Sequence, residues 1–169
     1  MKMLTLCVLG CVMMVLTGHA KPLVENDQSV RSELVKSSLS CSSGWSEING
    51  RCFHYVPKTM TWAKAEKNCQ SMGANLASVH NFQEYHDIQK LIATTTHEYK
   101  ETWIGGSDAQ QENVWLWTDG RPFHYTHWCR GEPNDSGKQH CIQMNFGDQK
   151  CWDDVGCDYY RPSVCAKKV

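Results

Sequence analysis

The sequence predicts an α+β domain: two helices with small antiparallel sheets and a long, cysteine-rich loop region. Two segments of helical periodicity, 61–72 and 81–92, lie close together in the first half of the chain. After them the pattern changes to short apolar runs of strand length, punctuated by Gly, Asp and Asn. A long polar stretch then precedes the Cys141 run. Helices grouped together, rather than alternating with strands, give α+β and not a parallel α/β sheet.

Residues 1–20 have a lysine at position 2, an apolar run from Met3 to Leu16, and small residues Gly18 and Ala20 around His19. The run is shorter than the roughly 18 residues that mark a membrane span. It is therefore read as a signal peptide cut after Ala20, and no later run approaches a transmembrane length. Secretion to the extracellular space is the expectation. Residues 21–40 are rich in Ser, Glu and Lys and read as a propeptide or short stalk. Val30 and Leu34 share a face there, but the segment has too little apolar surface to fold alone.

Of ten cysteines, Cys7 and Cys11 leave with the leader, so eight remain in an oxidising compartment. An even set of this kind implies four bridges without saying which partners pair. No C-x-x-C pair and no H-E-x-x-H helix occurs, which argues against zinc. The net charge is −1 and the pI ≈ 6.7, with dispersed basic residues. No basic patch for nucleic acid emerges.

The folded domain is predicted to run from Cys41 to residue 169. Asn49-Gly50 reads as a turn, and Cys52 to Val56 as a strand of aromatic and β-branched residues. Thr61 is a candidate N-cap for the first helix, with Trp62, Ala65, Cys69 and Met72 on one face and Gly73 closing it. Leu76 to Val79 links to the second helix. Asn81 with Glu84 makes a capping-box-like start there, and Phe82, Tyr85, Ile88 and Ile92 form its apolar stripe. Trp103-Ile104 is a brief strand, and Gly105-Gly106 reads as a tight turn because no phosphate-loop pattern follows it. Val114 to Trp117 alternates and closes on Asp119-Gly120. Cys141 to Met144 and Ser163 to Ala166 complete the strands.

Chemistry concentrates between Trp128 and Asp154. Glu132-Pro133-Asn134 with Gln139 forms one cluster of oxygen-bearing side chains, and Asp153-Asp154 forms another. Brought together they suit Ca²⁺, which takes six to eight oxygens at about 2.3–2.6 Å. The alternative is a pair of solvated loops that never meet. Cysteines flanking both clusters favour convergence. His124, His127 and His140 lie nearby, but none sits in a pattern that supplies a catalytic partner, so an enzyme is not expected.

Taken in order, Trp62-Ala63, Cys69, Leu76-Ala77-Ser78, Trp103-Ile104-Gly105, Glu132-Pro133-Asn134, Trp152-Asp153-Asp154 and Cys165 resemble the C-type lectin-like domain. In detail the chain is similar to the secreted single-domain fish lectins, the group that includes ladderlectins and type II antifreeze proteins. That resemblance implies bridges Cys41–Cys52, Cys69–Cys165 and Cys141–Cys157, with Cys129–Cys151 paired as in the fish group. It implies a Ca²⁺ and sugar site at Glu132, Asn134, Gln139, Asp153 and Asp154, with a cis peptide before Pro133. Gln139 and Asp153 depart from the family's usual Glu and Asn, and the loop between Asn134 and Cys141 is one residue shorter than in mannose-binding relatives. An auxiliary Ca²⁺ site would use Asp108, Glu112 and Asp135, although Gln139 and His140 replace two of its carboxylates.

The implied function is a secreted, Ca²⁺-dependent lectin of mannose type. It would recognise glycans on microbial or mucus surfaces in innate defence or in mucus, with homo-oligomerisation left open. A Ca²⁺-independent galactoside- or lactose-binding lectin is the first alternative. An ice-binding protein is the second, disfavoured because the antifreeze fifth bridge would need cysteines where Ala109 and His140 stand.

Overall fold

The computed structural model describes residues 40–169. The leader and the segment carrying Val30 and Leu34 lie outside the described residues. The described chain opens with a hairpin of β1 (Ser46–Ile48) and β2 (Arg51–Met60). Asn49 at φ 50° and Gly50 at φ 72° form its two-residue turn. Two left-handed residues in succession match the right-handed twist of the flanking strands. β2 continues well beyond the expected Val56 and pairs along its length with the last strand, β8 (Arg161–Lys168).

Helix α1 (Trp62–Ser71) buries Ala65 and Cys69 as its periodicity predicts. Thr61 precedes it in extended backbone but makes no side-chain cap. The helix is instead secured by buried Glu66. One Glu66 oxygen accepts from Asn75 Nδ2 (2.6 Å), and the other accepts the Leu76 N–H (2.7 Å). Gly73, at φ 68°, ends the helix as expected. Asn75–Leu76 then forms β3, a short rung on β8.

Helix α2 (Phe82–Thr96) begins with half of the anticipated capping box. Asn81 accepts the Glu84 N–H at 2.8 Å, but the Glu84 carboxylate takes the His80 N–H and pairs with Arg51. Tyr85, Ile88 and Ile92 are buried; Phe82 is 63 % exposed and does not belong to the core stripe. It lies in the first turn, where it stacks on His86 and meets His127 edge-on.

β4 (Thr102–Ser107) corrects the reading of Gly105-Gly106: both lie in a fully buried, extended strand and not in a turn. A Cβ on Gly105 would fall 2.5 Å from the Leu76 carbonyl oxygen, and one on Gly106 would strike Ile142. The glycines are there for close approach, and their conformation is ordinary. Of the Val114–Trp117 run only Leu116–Trp117 forms a strand, β5. The alternation holds, with Trp117 buried and Val114 and Leu116 exposed. β6 (Cys141–Phe146) and β7 (Cys151–Val155) make the final hairpin before β8.

The strands run β1-β2-β8-β4-β6-β7 across the sheet, with β3 on β8 and β5 on β4. Between these strands all pairings are antiparallel except β4 with β8, which meet in parallel at Trp103 and Ser163. Trp152, Phe53, Tyr85, Ile104 and Ile142 centre one core cluster, and Leu76, Trp103 and Cys69 centre a second. Among the described residues there are four bridges: Cys41–Cys52, Cys69–Cys165, Cys129–Cys151 and Cys141–Cys157. Cys69–Cys165 spans 96 residues. Constraining so long a loop in the unfolded chain stabilises the domain by roughly 4–5 kcal/mol. Among the described residues no helix is long and apolar enough to cross a membrane.

A buried charge network joins these parts. Arg51 donates to Glu84 Oε1 (2.7 Å), Ser78 Oγ (2.9 Å) and the Ser78 carbonyl (2.7 Å), while Asp119 approaches at 3.7 Å. Ser78 Oγ also donates to Asp119. One guanidinium thus ties β2, the entry to α2, and the turn after β5 from which the long loop departs.

Candidate functional site

The long loop is sewn onto β7 before it reaches the polar cluster. Trp152 lends its carbonyl to the Cys129 N–H and its N–H to the His127 carbonyl, both at 2.8 Å. The Cys129–Cys151 bridge holds the same two segments covalently. The Glu132 N–H turns back to the Cys129 carbonyl (3.0 Å), and the Glu132–Pro133 peptide is cis.

Beyond the proline the backbone returns to β7. Asp154 is fully buried; its Oδ1 accepts the Asn134 N–H and its Oδ2 accepts the Asp135 N–H, each at 2.9 Å. The same carboxylate faces Glu132. One oxygen each from Glu132, Asp153 and Asp154 lies within 4.8 Å of the others. Convergence of the two clusters, expected from their flanking cysteines, is therefore the arrangement found.

Burial and crowding disfavour charge on two of these carboxylates, Glu132 and Asp153. Burial and a hydrogen bond to Asp154 push the Glu132 carboxyl up to about 7; the charges of Asp153 and Asp154 add to this, and a hydrogen bond from Asn134 opposes it. Asp153 is also raised, first by burial, although its bond from Gln143 works the other way. Glu132 Oε2 and Gln139 Oε1 are buried without a protein hydrogen-bond partner. With two orphaned oxygens, all-oxygen donors and three carboxylates, the set fits a hard cation.

Not every expected residue is placed alike. Asn134 is exposed, and its Oδ1 accepts the Ser136 N–H at 2.8 Å. Gln139 is anchored through its N–H to Asp135 Oδ1 (3.1 Å). Asp153 commits Oδ2 to Gln143 Nε2 at 2.7 Å, and Gln143 Oε1 accepts from Arg161 Nε at 2.8 Å. Gln143 and Arg161 were absent from the sequence reading. The available signal was a glutamine flanked by Ile142 and Met144 in the buried strand β6, directly opposite Asp153 in the ladder. Of the auxiliary trio, Asp108 and Glu112 gather around His140, and Asp135 instead serves the Gln139 N–H.

A family model described as the Lectin C-type domain matches residues 58–167. Ladderlectin from Oncorhynchus mykiss is 37 % identical over 180 residues, covering 99 % of this chain and 95 % of the relative. The galactose-specific lectin nattectin of Thalassophryne nattereri is 38 % identical over 135 residues, covering 79 % of this chain and 84 % of the relative. A solved Ca²⁺-dependent type II antifreeze protein, in its Ca²⁺-free form, superposes with a TM-score of 0.72 at 38 % identity, covering 76 % of this chain and all of that one. With the loop seated on β7, the four bridges in place and the family model spanning most of the described residues, the chain belongs to the C-type lectin domain family.

Proposed function

We propose that this protein is a secreted, non-enzymatic lectin that binds mannose-type glycans on microbial or mucus surfaces through Ca²⁺, in innate defence or in mucus. The observation that carries the reading is Glu132 Oε2, buried without a partner beside the carboxylates of Asp153 and Asp154. Glu132, Asn134, Gln139, Asp153 and Asp154 would hold the ion. When bound, Ca²⁺ supplies open coordination positions for two neighbouring sugar hydroxyls. The side chains then divide the hydrogen bonds. Glu132 accepts from one hydroxyl while the Asn134 amide donates to it; Gln139 donates to the second, and the free oxygen of Asp153 accepts from it. Asp154 keeps the loop on β7 and takes no part in recognising sugar.

Similarity to a lectin named galactose-specific favours a second reading, galactoside binding that does not need Ca²⁺. Glycan-array binding with and without EDTA separates the two. Mannose-type binding that disappears in EDTA and in Asp154→Ala is the expected result. Full binding in EDTA, or a galactoside-only profile, would overturn the proposal. Similarity to an antifreeze protein adds one further arm, because ice-crystal shaping by the purified protein would replace the lectin reading altogether.

A further inference from the structure

We infer that Asp108, Glu112 and His140 form a separate site for a zinc-class divalent ion, independent of the proposed calcium site. The sequence places Asp108 and Glu112 in an expected auxiliary calcium site and counts His140 against it; the structure instead brings His140, 32 residues from Asp108, into the cluster as a ligand-type side chain. The sheet brings them together. Ser107 pairs with Cys141 across β4 and β6, and the Asp108 N–H donates to the His140 carbonyl at 3.3 Å. The Cys141–Cys157 bridge fixes the same point.

Asp108 is 2 % exposed and its orientation is set from outside the cluster: Oδ2 accepts the Asn113 N–H at 2.9 Å, which leaves Oδ1 toward His140. Asp108 Oδ1 lies 3.1 Å from His140 Nδ1, and Glu112 Oε2 lies 3.6 Å from the same nitrogen. A tetrahedral ion with bonds of about 2.0–2.1 Å needs ligand atoms about 3.3–3.4 Å apart, and the two edges to His140 bracket that value while all three atoms lie within 4.8 Å of one another. One imidazole nitrogen and two carboxylates also match the ligand preference of zinc, and they leave a fourth position for water. Ca²⁺ prefers six to eight oxygens at about 2.3–2.6 Å, which two carboxylates and a nitrogen do not provide. Replacement of a carboxylate by His140 thus changes the class of ion and need not abolish binding.

The test is calorimetric titration of ZnCl₂ into untagged, EDTA-stripped protein, with His140→Ala and, as a control, the exposed His124→Ala in parallel. Wild type should take up one zinc ion, and His124→Ala should bind it with unchanged affinity. His140→Ala should bind at least about tenfold more weakly, since disturbing even the outer partners of a metal ligand costs about 10–100-fold. X-ray absorption should report four nitrogen or oxygen neighbours. Equal zinc affinity in His140→Ala and wild type, or loss only in His124→Ala, would overturn the assignment. So would no zinc uptake at all, which would leave Asp108 and His140 as an ordinary ion pair. A failed calcium experiment leaves this outcome untouched, because the zinc site is read through His140 and shares no ligand with Glu132, Asp153 or Asp154.

Discussion

Replacing Arg51 by methionine should cost this domain about 3–5 kcal/mol, the usual penalty for removing one partner of a buried ion pair. The structure supports a value in that range. The Arg51 and Glu84 side chains are 6 % and 4 % exposed, and Asp119 is 16 % exposed. Without the guanidinium, Glu84 Oε1 loses both of its Arg51 donors and the Ser78 carbonyl loses its own. The stack of the guanidinium over Phe53, 4.6 Å to the ring centroid, is lost as well. For a domain of this size each kcal/mol moves the melting temperature by about 3–5 °C, so the fall should be roughly 9–25 °C. Urea and thermal unfolding followed by tryptophan fluorescence, with the disulfides intact, give both values. The double variant Arg51→Met/Glu84→Leu should recover most of the loss, because a buried pair replaced by apolar groups is often neutral. A single-variant effect below about 1 kcal/mol, or a double variant no better than the sum of the singles, would refute the idea that the pair is desolvated and coupled.

Adding about 10 mM Ca²⁺ to EDTA-treated protein should stabilise it by about 1.4–2.7 kcal/mol if affinity lies in the extracellular range, and Asp154→Asn should remove the effect; differential scanning calorimetry decides it. Burial holds the His127 imidazole below its ordinary 6.5, so the unfolded state binds the extra proton first. Its contribution to stability is present above pH 6.5 and is lost as pH falls through the folded value, so wild type should weaken relative to His127→Gln on acidification. A ring-proton titration of His127 by NMR checks the direction. Gly105→Ala should cost about 1–3 kcal/mol or more through the clash with the Leu76 carbonyl, read as a lowered urea midpoint. Replacing Cys129 and Cys151 together by alanine should cost about 3 kcal/mol for a bridge spanning 22 residues, and it should loosen the loop that carries Glu132.

Much of this architecture was legible because local chemistry and tertiary structure agree. Asn49-Gly50 can hardly avoid a hairpin turn, Asn81 caps the helix whose start it marks, and Glu132 meets Asp153 and Asp154 as the flanking cysteines implied. The misses share a physical cause: each depends on what lies across the fold. Phe82 has the right phase for a core stripe, but it occupies the helix's first turn and stays exposed. Gly105 and Gly106 look like a turn until Leu76 and Ile142 press against them. Arg51 follows a turn glycine, where a charge is ordinarily solvated, yet Glu84 and Ser78 enclose it from 33 and 27 residues away. Gln143 and His140 acquire their roles only through strand pairing with β7 and β4.

The pairing of β2 with β8 also determines how copies of this domain can be displayed. Arg51 stands opposite Lys168, so chain entering through the first hairpin and chain leaving the last strand meet at one side of the sheet. Asp153 and Asp154 belong to β7, four ladder steps from β2, or about 19 Å at the usual strand spacing. A tether attached at either end therefore leaves the loop face uncovered. Several domains joined through those ends could engage a repetitive glycan surface together, gaining avidity from effective concentration with no new contact at any single site.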